Sequence, residues 1–128
     1  MNQGVMETTN CWISIDNDGI LRLVTKPQTK STLETVREEH RAIKKLIGDK
    51  KAIMLTDIRN MISATPEARA YTNSEEMTNT YLAVGLLVGS VFSRVIGSFI
   101  IGINKPDYPV KLFTDENSAI NWLKQFAQ

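Results

Sequence analysis

The sequence has little of the chemistry that metal and redox sites require. Its 128 residues include one cysteine, Cys11, and one histidine, His40. A single cysteine cannot form an internal disulfide, so the sequence fits a reducing compartment. There is no HExxH or CxxC spacing for a metal and no P-loop or GxGxxG pattern for a nucleotide. We therefore expect neither a metal nor another cofactor.

Charge of one sign is also lacking. Fifteen basic and fourteen acidic side chains leave a net charge of +1. This balance gives no electrostatic footprint for nucleic acid or for an anionic membrane surface. The first ten residues lack the basic start and apolar middle of a signal peptide. We expect a cytoplasmic protein with an N-terminal tail at 1–10 and a single domain at 11–128, which is long enough to bury one core.

The longest apolar stretch, Ala83–Ile103, is interrupted in two ways. It contains the charge of Arg94, which costs roughly 3 kcal/mol in the middle of a membrane span, and Gly89-Ser90 breaks it. We therefore predict no membrane span, but a strand over 83–88 and an amphipathic helix from Val91. The expected buried side of that helix consists of Val91, Phe92, Val95, Ile96, Phe99, Ile100 and Ile103.

The first half of the chain predicts a hairpin and a helix. The runs "CWISID" and "ILRLV" are joined through Asp18-Gly19, a strong hairpin signal because glycine adopts positive φ without steric cost. The next predicted helix begins at Ser31, where Glu34 completes a capping-box spacing, and ends at Gly48. These elements give two strands followed by one helix.

The remaining elements alternate between strand and helix. "KAIMLTDI" is typical of a strand covered on both faces. Thr65 and Pro66 suit the start of a second helix, as N-cap and first helical residue. "VKLF" predicts a last strand, and "TDENSAINWLKQFA" predicts a last helix. The order β-β-α-β-α-β-α-β-α indicates an α/β fold with a mostly parallel five-stranded sheet, one antiparallel strand and helices packed on the sheet.

Polar side chains follow two of the predicted parallel strands. Ligands of open α/β sheets gather outside the carboxyl ends of the strands, and helix N-termini with arginines suit a phosphate or carboxylate. The alternative is that the acid pairs with an arginine and the hydroxyls only cap helices. The candidate ligand- or partner-binding residues are Asp57, Arg59, Ser63, Thr65, Ser90 and Arg94.

Three small residues, Gly89, Ser93 and Gly97, recur every four positions at the start of the helix that follows the strand at 83–88. Another backbone could approach such a ridge closely. A homodimer face, a neighbouring helix, the wall of an apolar pocket, and packing of the helix on its own sheet would each explain it.

The segments "LTDIR" with "TPEARAY", "LLVGSVFSRVIGSF" and "NKPDYPVKLFTDENSAINWL" together resemble the STAS domains, the anti-sigma-factor-antagonist fold related to the lipid-binding CRAL-TRIO fold. The chain looks most like small bacterial single-domain STAS-like proteins of uncharacterised function. In anti-sigma-factor antagonists a phosphorylatable serine follows the third strand, and Ser63 is the nearest candidate here. The family signature Asp-Ser-(Ser/Thr)-Gly is absent, since Ile62 precedes Ser63, and Ala64 and Thr65 follow it.

Together these features predict a non-catalytic regulatory domain that acts through protein contacts, as a homodimer and with other proteins. The expected contact surface is the loop 58–66 with the helix that begins near Ser90. The alternative is binding of a small anionic or lipid-like ligand in a pocket near that helix. A third hypothesis is an enzyme that uses Asp57 with Arg59 or His40.

Overall fold

The computed structural model describes residues 4–103 and 105–127. Along the chain the strands are β1 (Met6–Glu7), β2 (Cys11–Ile15), β3 (Leu21–Thr25), β4 (Thr29–Ser31), β5 (Ala52–Asp57), β6 (Met61–Ala64), β7 (Tyr81–Leu87) and β8 (Val110–Phe113). The helices are α1 (Leu33–Ile47), α2 (Pro66–Ala70), α3 (Glu75–Thr78), α4 (Val91–Ile101) and α5 (Glu116–Lys124), and a 3₁₀ turn (Tyr71–Asn73) separates α2 from α3.

The main sheet has the order β1-β2-β3-β5-β7-β8. Strands β3, β5, β7 and β8 are parallel, whereas β2 is antiparallel to both of its neighbours. This confirms the α/β class, the mostly parallel sheet and the single reversed strand. The sheet has six strands rather than the expected five because Met6–Glu7 pairs with β2. A two-residue strand is too short to show an alternating pattern in the sequence.

A second, two-stranded parallel sheet joins β4 to β6. Strand β6 lies within the segment 58–66, which the sequence predicts to be a loop. Both strands are short, and a three- or four-residue strand carries no periodicity that distinguishes it from a loop.

The two faces of the main sheet are covered unequally. Helices α1, α2 and α4 lie over one face, and α5 packs against β5, β7 and β8 on the other. The second face over β2 and β3 therefore stays open, and Trp12 and Val24 pair there across the two strands with exposed side chains. The hydrophobic core between the sheet and helices α1, α2 and α4 is the larger of the two. Its members include Ile13, Leu23, Met54, Val84, Leu86 and Ile96.

The N-terminal cap of α1 differs from the expected one. Thr32 is the N-cap, and its Oγ1 accepts a hydrogen bond from Thr35 N at 3.2 Å. Ser31 is instead the last residue of β4, where its carbonyl accepts from Thr65 N. The expected capping box of Ser31 with Glu34 is therefore wrong by one residue, because the backbone of Ser31 is used in the small sheet. The helix ends as predicted at Gly48, with φ of 64°.

The helix after Thr65 begins where expected, but it is interrupted. Thr65 caps α2 with Pro66 in the first turn, and the chain then passes through the 3₁₀ turn into the short α3. Ser74 has an extended backbone, with ψ of 157°, and its side chain caps α3. Serine, threonine and asparagine offer the backbone alternative hydrogen bonds, so this polar stretch breaks the helix into single turns.

The apolar stretch Ala83–Ile103 divides at Gly89-Ser90, as predicted. Strand β7 ends at Leu87, and Ser90 caps α4. No helix among the described residues is long and apolar enough to cross a membrane.

The orientation of α4, however, is rotated from the expected one. Ile96 and Ile100 are buried as expected, but Ser93 and Gly97 are buried too, whereas Val91 and Val95 are exposed. A Cβ at Gly97 would clash with Leu112 of β8. The small-residue ridge is thus explained by close packing of the helix on its own sheet, and Val91 and Val95 lie on the outer face.

Candidate functional site

Asp57 and Arg59, at the carboxyl end of β5, form a bidentate ion pair. Oδ1 of Asp57 accepts hydrogen bonds from the backbone N and the Nε of Arg59, both at 3.0 Å, and Oδ2 accepts from Nη2 at 2.7 Å. These hydrogen bonds raise the pKa of Arg59 further above its usual range. The carboxylate is buried, while the guanidinium is half exposed. An added anion could thus meet the outer side of Arg59, but Asp57 is already occupied.

The three predicted hydroxyls have different surroundings. Thr65 Oγ1 accepts from Ala68 N at 3.1 Å, and Ser90 Oγ accepts from Ser93 N at 3.0 Å. Both hydroxyls therefore cap helices, which satisfies amides that helix starts otherwise leave unpaired. Ser63 lies in β6 opposite Lys30 and is half-buried.

Replacing Thr65 with alanine is expected to lower the free energy of unfolding by about 1 kcal/mol, the usual cost of losing an N-cap. The matched change Ser63→Ala, two residues earlier, should cost less than about 0.5 kcal/mol because Ser63 caps no helix. Urea unfolding of the two variants measures the difference. Equal stabilities would show that the hydroxyl of Thr65 does not hold α2.

The predicted residues face two different parts of the surface. Arg59 and Ser90 line a shallow depression together with Ile62 and Phe92. Arg94 lies in the first turn of α4 and lines a groove on the outer face of that helix. The arrangement offers a broad surface around the N-terminus of α4.

His40 and Cys11 have partners other than each other. His40 Nε2 is 2.9 Å from Thr80 Oγ1, and burial lowers the pKa of the imidazole. Cys11 is buried and hydrogen-bonded to Glu39 and Thr8, and burial raises the pKa of its thiol well above the usual value. The hydrogen bond of His40 and the ion pair of Asp57 are each made to another residue, so they do not join these two side chains.

A partly open cavity of about 110 Å³ lies between the main sheet and helices α1, α2 and α4, where the sequence predicts a pocket near α4 only as an alternative. Its wall is mostly aliphatic and aromatic. The sheet side includes Leu23, Met54, Thr56, Tyr81, Val84 and Leu86, and the helix side includes Glu39, His40, Ala68, Arg69, Ile96 and Ile100.

Three polar atoms on residues that line this cavity are buried without a hydrogen-bond partner among the described residues. They are the hydroxyls of Thr56 and Tyr81 and the Nε–H of Arg69. Tyr81 is 2% exposed, so its hydroxyl cannot turn to solvent. Leaving such a group unpaired costs about 1–3 kcal/mol, so these three atoms lower the stability of this part of the core.

Glu39 is a fourth polar group in the cavity wall. Burial is the main reason that the pKa of its carboxyl is raised to about 7; the hydrogen bond with Cys11 opposes this effect, and the charge of Glu38 adds to it. The sequence does not predict this grouping because the four groups lie on four different elements, β5, β7, α2 and α1. The usable signals were Thr56 inside the apolar run of β5 and Glu39 beside the buried His40 on α1.

The comparisons with known proteins agree with this architecture. No curated protein matches the chain. Among solved structures, an uncharacterised DUF3478-family protein with a SpoIIAA-like fold from Shewanella loihica PV-4 is 16% identical, with a TM-score of 0.55, and the alignment covers 94% of this chain and 90% of that one. A protein of unknown function from Arthrobacter sp. FB24 is 27% identical over 88% of this chain and 97% of that one, with a TM-score of 0.34.

The SpoIIAA-like fold of the Shewanella protein confirms the STAS-like fold expected from the sequence. The profile of one family, described as a domain of unknown function, DUF7793, matches residues 11–127. The chain therefore belongs to the DUF7793 family and has a SpoIIAA-like fold.

Proposed function

We propose that this domain is a non-catalytic, cytoplasmic regulatory domain that acts through protein contacts and pairs with a second copy of itself through the outer face of α4. The observation that carries the proposal is the apolar outer face of this helix. Val91 is 81% exposed and Val95 46% exposed, and Ile103 beyond the last turn is 76% exposed. Contiguous exposed apolar groups on a small protein mark contact surfaces.

The spacing of these side chains favours another helix as the partner. Val91, Val95, Phe99 and Ile103 follow one another at intervals of four and line a single groove with Arg94 and Ser98. Side chains spaced by four residues form a ridge along a helix. Two such ridges pack when each lies in the groove beside the other, and the two helix axes then cross at about −50°. Two copies related by a two-fold axis satisfy each other with this one surface.

The depression around Arg59 and Ser90 continues this surface toward β6, where Ile62 is exposed. The proposed contact surface thus combines the segment 58–66 with the start of α4. Arg59 and Arg94, at the rim of this contact surface, would bind carboxylates of a further partner protein. Phosphorylation of Ser63 would add negative charge beside the surface.

Replacing Val95 with aspartate is expected to abolish self-association, because two carboxylates would be desolvated at the centre of the pair. Light scattering across a concentration series should give about 28.8 kDa for the unchanged chain, twice the 14.4 kDa of one copy, and a single-copy mass for the variant.

The matched control is Val24→Asp, since Val24 is 36% exposed on the open face of the sheet. It should leave the pair intact. A single-copy mass for the unchanged chain at every concentration would overturn the proposal, as would a loss of pairing caused by Val24→Asp and not by Val95→Asp.

A second candidate function is the binding of a small anionic or lipid-like ligand. The cavity between the sheet and α4 favours it, because Ile96 and Ile100 on the inner face of that helix form part of the wall. The mostly apolar wall of this cavity suits the hydrocarbon part of such a ligand.

A further inference from the structure

Strand β8 has one free edge, because β7 is the only strand that pairs with it among the described residues. Val84 N donates to the carbonyl of Pro109, so the odd-numbered residues of this segment form the hydrogen bonds with β7. Successive residues of a strand direct their N–H and C=O groups to opposite sides. The backbone groups of Val110 and Leu112 therefore point away from β7, toward a side on which the described residues place no strand.

A groove of about 240 Å³ adjoins this free edge. Its apolar wall includes Ile101 at the end of α4, Trp122 on α5 and Val110 of β8 itself. An apolar cavity of roughly 150 Å³ accepts benzene, so the groove has room for one large apolar side chain. Unpaired backbone groups and an apolar side-chain pocket side by side are the two features by which a sheet edge binds an extended peptide.

The charged groups of the groove are positive. Lys105 and Lys111 line it, whereas Asp107, in the turn between them, does not. Both lysines are exposed, and neither forms a salt bridge within the described residues. Lysines at a sheet edge discourage pairing with neutral or basic strands, but they attract an acidic one.

A second copy of the chain fits this edge poorly. Strand β8 has only four residues, so antiparallel pairing with the same strand about a two-fold axis would bring Lys111 of both copies close together. Like charges directly opposite each other destabilise a strand pair. The free edge therefore favours a strand of another sequence that carries acidic side chains.

We propose that β8 binds an extended acidic segment of another protein, which adds a strand to the main sheet. Its backbone pairs with Val110 and Leu112, and an acidic side chain lies beside Lys111. Val110 and Leu112 face the core under α4, whereas Phe113 faces the core under α5 with Lys111 above its ring. Acidic and apolar residues of the bound segment therefore alternate. This contact does not depend on pairing of the domain through α4.

The test is an NMR titration of the full chain with two acetylated hexapeptide amides, Val-Glu-Ile-Glu-Val-Glu and its charge-reversed counterpart Val-Lys-Ile-Lys-Val-Lys. The acidic peptide should bind with a dissociation constant of about 1 mM or less, and the basic peptide at least about 10-fold more weakly. Hydrogen exchange should slow at the amides of Val110 and Leu112, which gain a partner. The amides of Lys111 and Phe113, which face β7, should change much less.

Variants assign the charge preference and the backbone contact separately. Lys111→Glu should weaken the acidic peptide at least about 3-fold and strengthen the basic one by a similar factor. Lys30→Glu, at an exposed lysine of the other short parallel strand, β4, is the matched control and should change neither affinity. Val110→Pro removes the outward N–H without removing a hydrogen bond to β7, and it should weaken the acidic peptide at least about 3-fold.

The outcomes separate the parts of the proposal. Equal affinity for the two peptides, or the same effect of Lys111→Glu and Lys30→Glu, would overturn the acidic specificity. Binding that slows exchange at neither Val110 nor Leu112 would overturn the added strand, even if Val110→Pro disturbed the fold. No binding of either peptide would overturn the whole proposal.

Discussion

Replacing Glu39 with glutamine is expected to make the protein about 3 kcal/mol more stable than the unchanged chain at pH 8. The carboxyl has a pKa of about 7 in the folded protein, mainly because it is buried, compared with 4.5 in the unfolded chain. Folding therefore favours the protonated form. A glutamine side chain has the same shape and keeps an acceptor for the thiol of Cys11, but it carries no charge.

The direction of the pH dependence follows from the raised pKa. Between pH 4.5 and about 7 the folded state binds more protons than the unfolded state, so the contribution of Glu39 to stability is complete below pH 4.5 and is lost as pH rises through about 7. His40 acts in the opposite direction, because burial lowers its pKa. Comparing the two proteins at each pH removes the His40 contribution, which both share.

Urea unfolding at several pH values measures this difference. The two proteins should be about equally stable near pH 4.5 and diverge as the pH approaches 7. Glu34→Gln, in the exposed first turn of α1, is the matched control and should not produce this divergence. A Glu39→Gln variant that parallels the unchanged chain at every pH would show that Glu39 is hydrated rather than buried in the cavity wall.

Replacing Gly97 with leucine is expected to lower the free energy of unfolding by about 2 kcal/mol, within the usual range for overpacking a core. Even the first side-chain atom would clash with Leu112, and the adjoining face of α4 is fully buried at Ser93. Gly97→Ala should cost less, because Leu112 can adjust and alanine favours the helix by about 1 kcal/mol.

Asn121→Leu, on the exposed side of α5, is the control for adding a large side chain to a helix and should change stability by less than about 0.5 kcal/mol. Thermal or urea unfolding provides the comparison. If Gly97→Leu were as harmless as Asn121→Leu, the small-residue face of α4 would not lie against β8.

The sequence predicted the fold through features that act locally. The structure agrees with these local features. They are the hairpin at Gly19, the end of α1 at Gly48, the N-caps at Thr65 and Ser90, and the break after β7. Each depends on backbone conformation or on hydrogen bonds within a few residues, which a short stretch of sequence specifies. The alternation of these elements then indicates a parallel sheet.

The orientation of α4 could not be predicted in this way. An apolar side chain is expected to be buried, yet Val91 and Val95 lie outside while Ser93 and Gly97 lie inside. The distance between the helix and β8 decides this, since Leu112 occupies the space that a larger residue would need. Such a fit involves residues distant in sequence and leaves no periodic signal.

The residues that line the cavity could not be predicted for a similar reason. Thr56, Tyr81 and Arg69 come from two strands and a helix, and only the packing of α1, α2 and α4 brings them around one space. The predicted residues at the strand ends were easier to find because they follow a general rule for α/β sheets. That rule identifies residues at the carboxyl ends of the strands, whereas the unpaired polar atoms lie in the interior of the domain.

An isotope-filtered NOE experiment can show whether two copies pair through the outer face of α4. Carbon-13-labelled and unlabelled chains are mixed, so only contacts between copies are recorded. We expect contacts of the Val91 and Val95 methyl groups with Val95, Phe99 and Ile103 of the other copy, on the exposed ridge. Intermolecular contacts confined to Trp12 and Val24, or none at all, would contradict it.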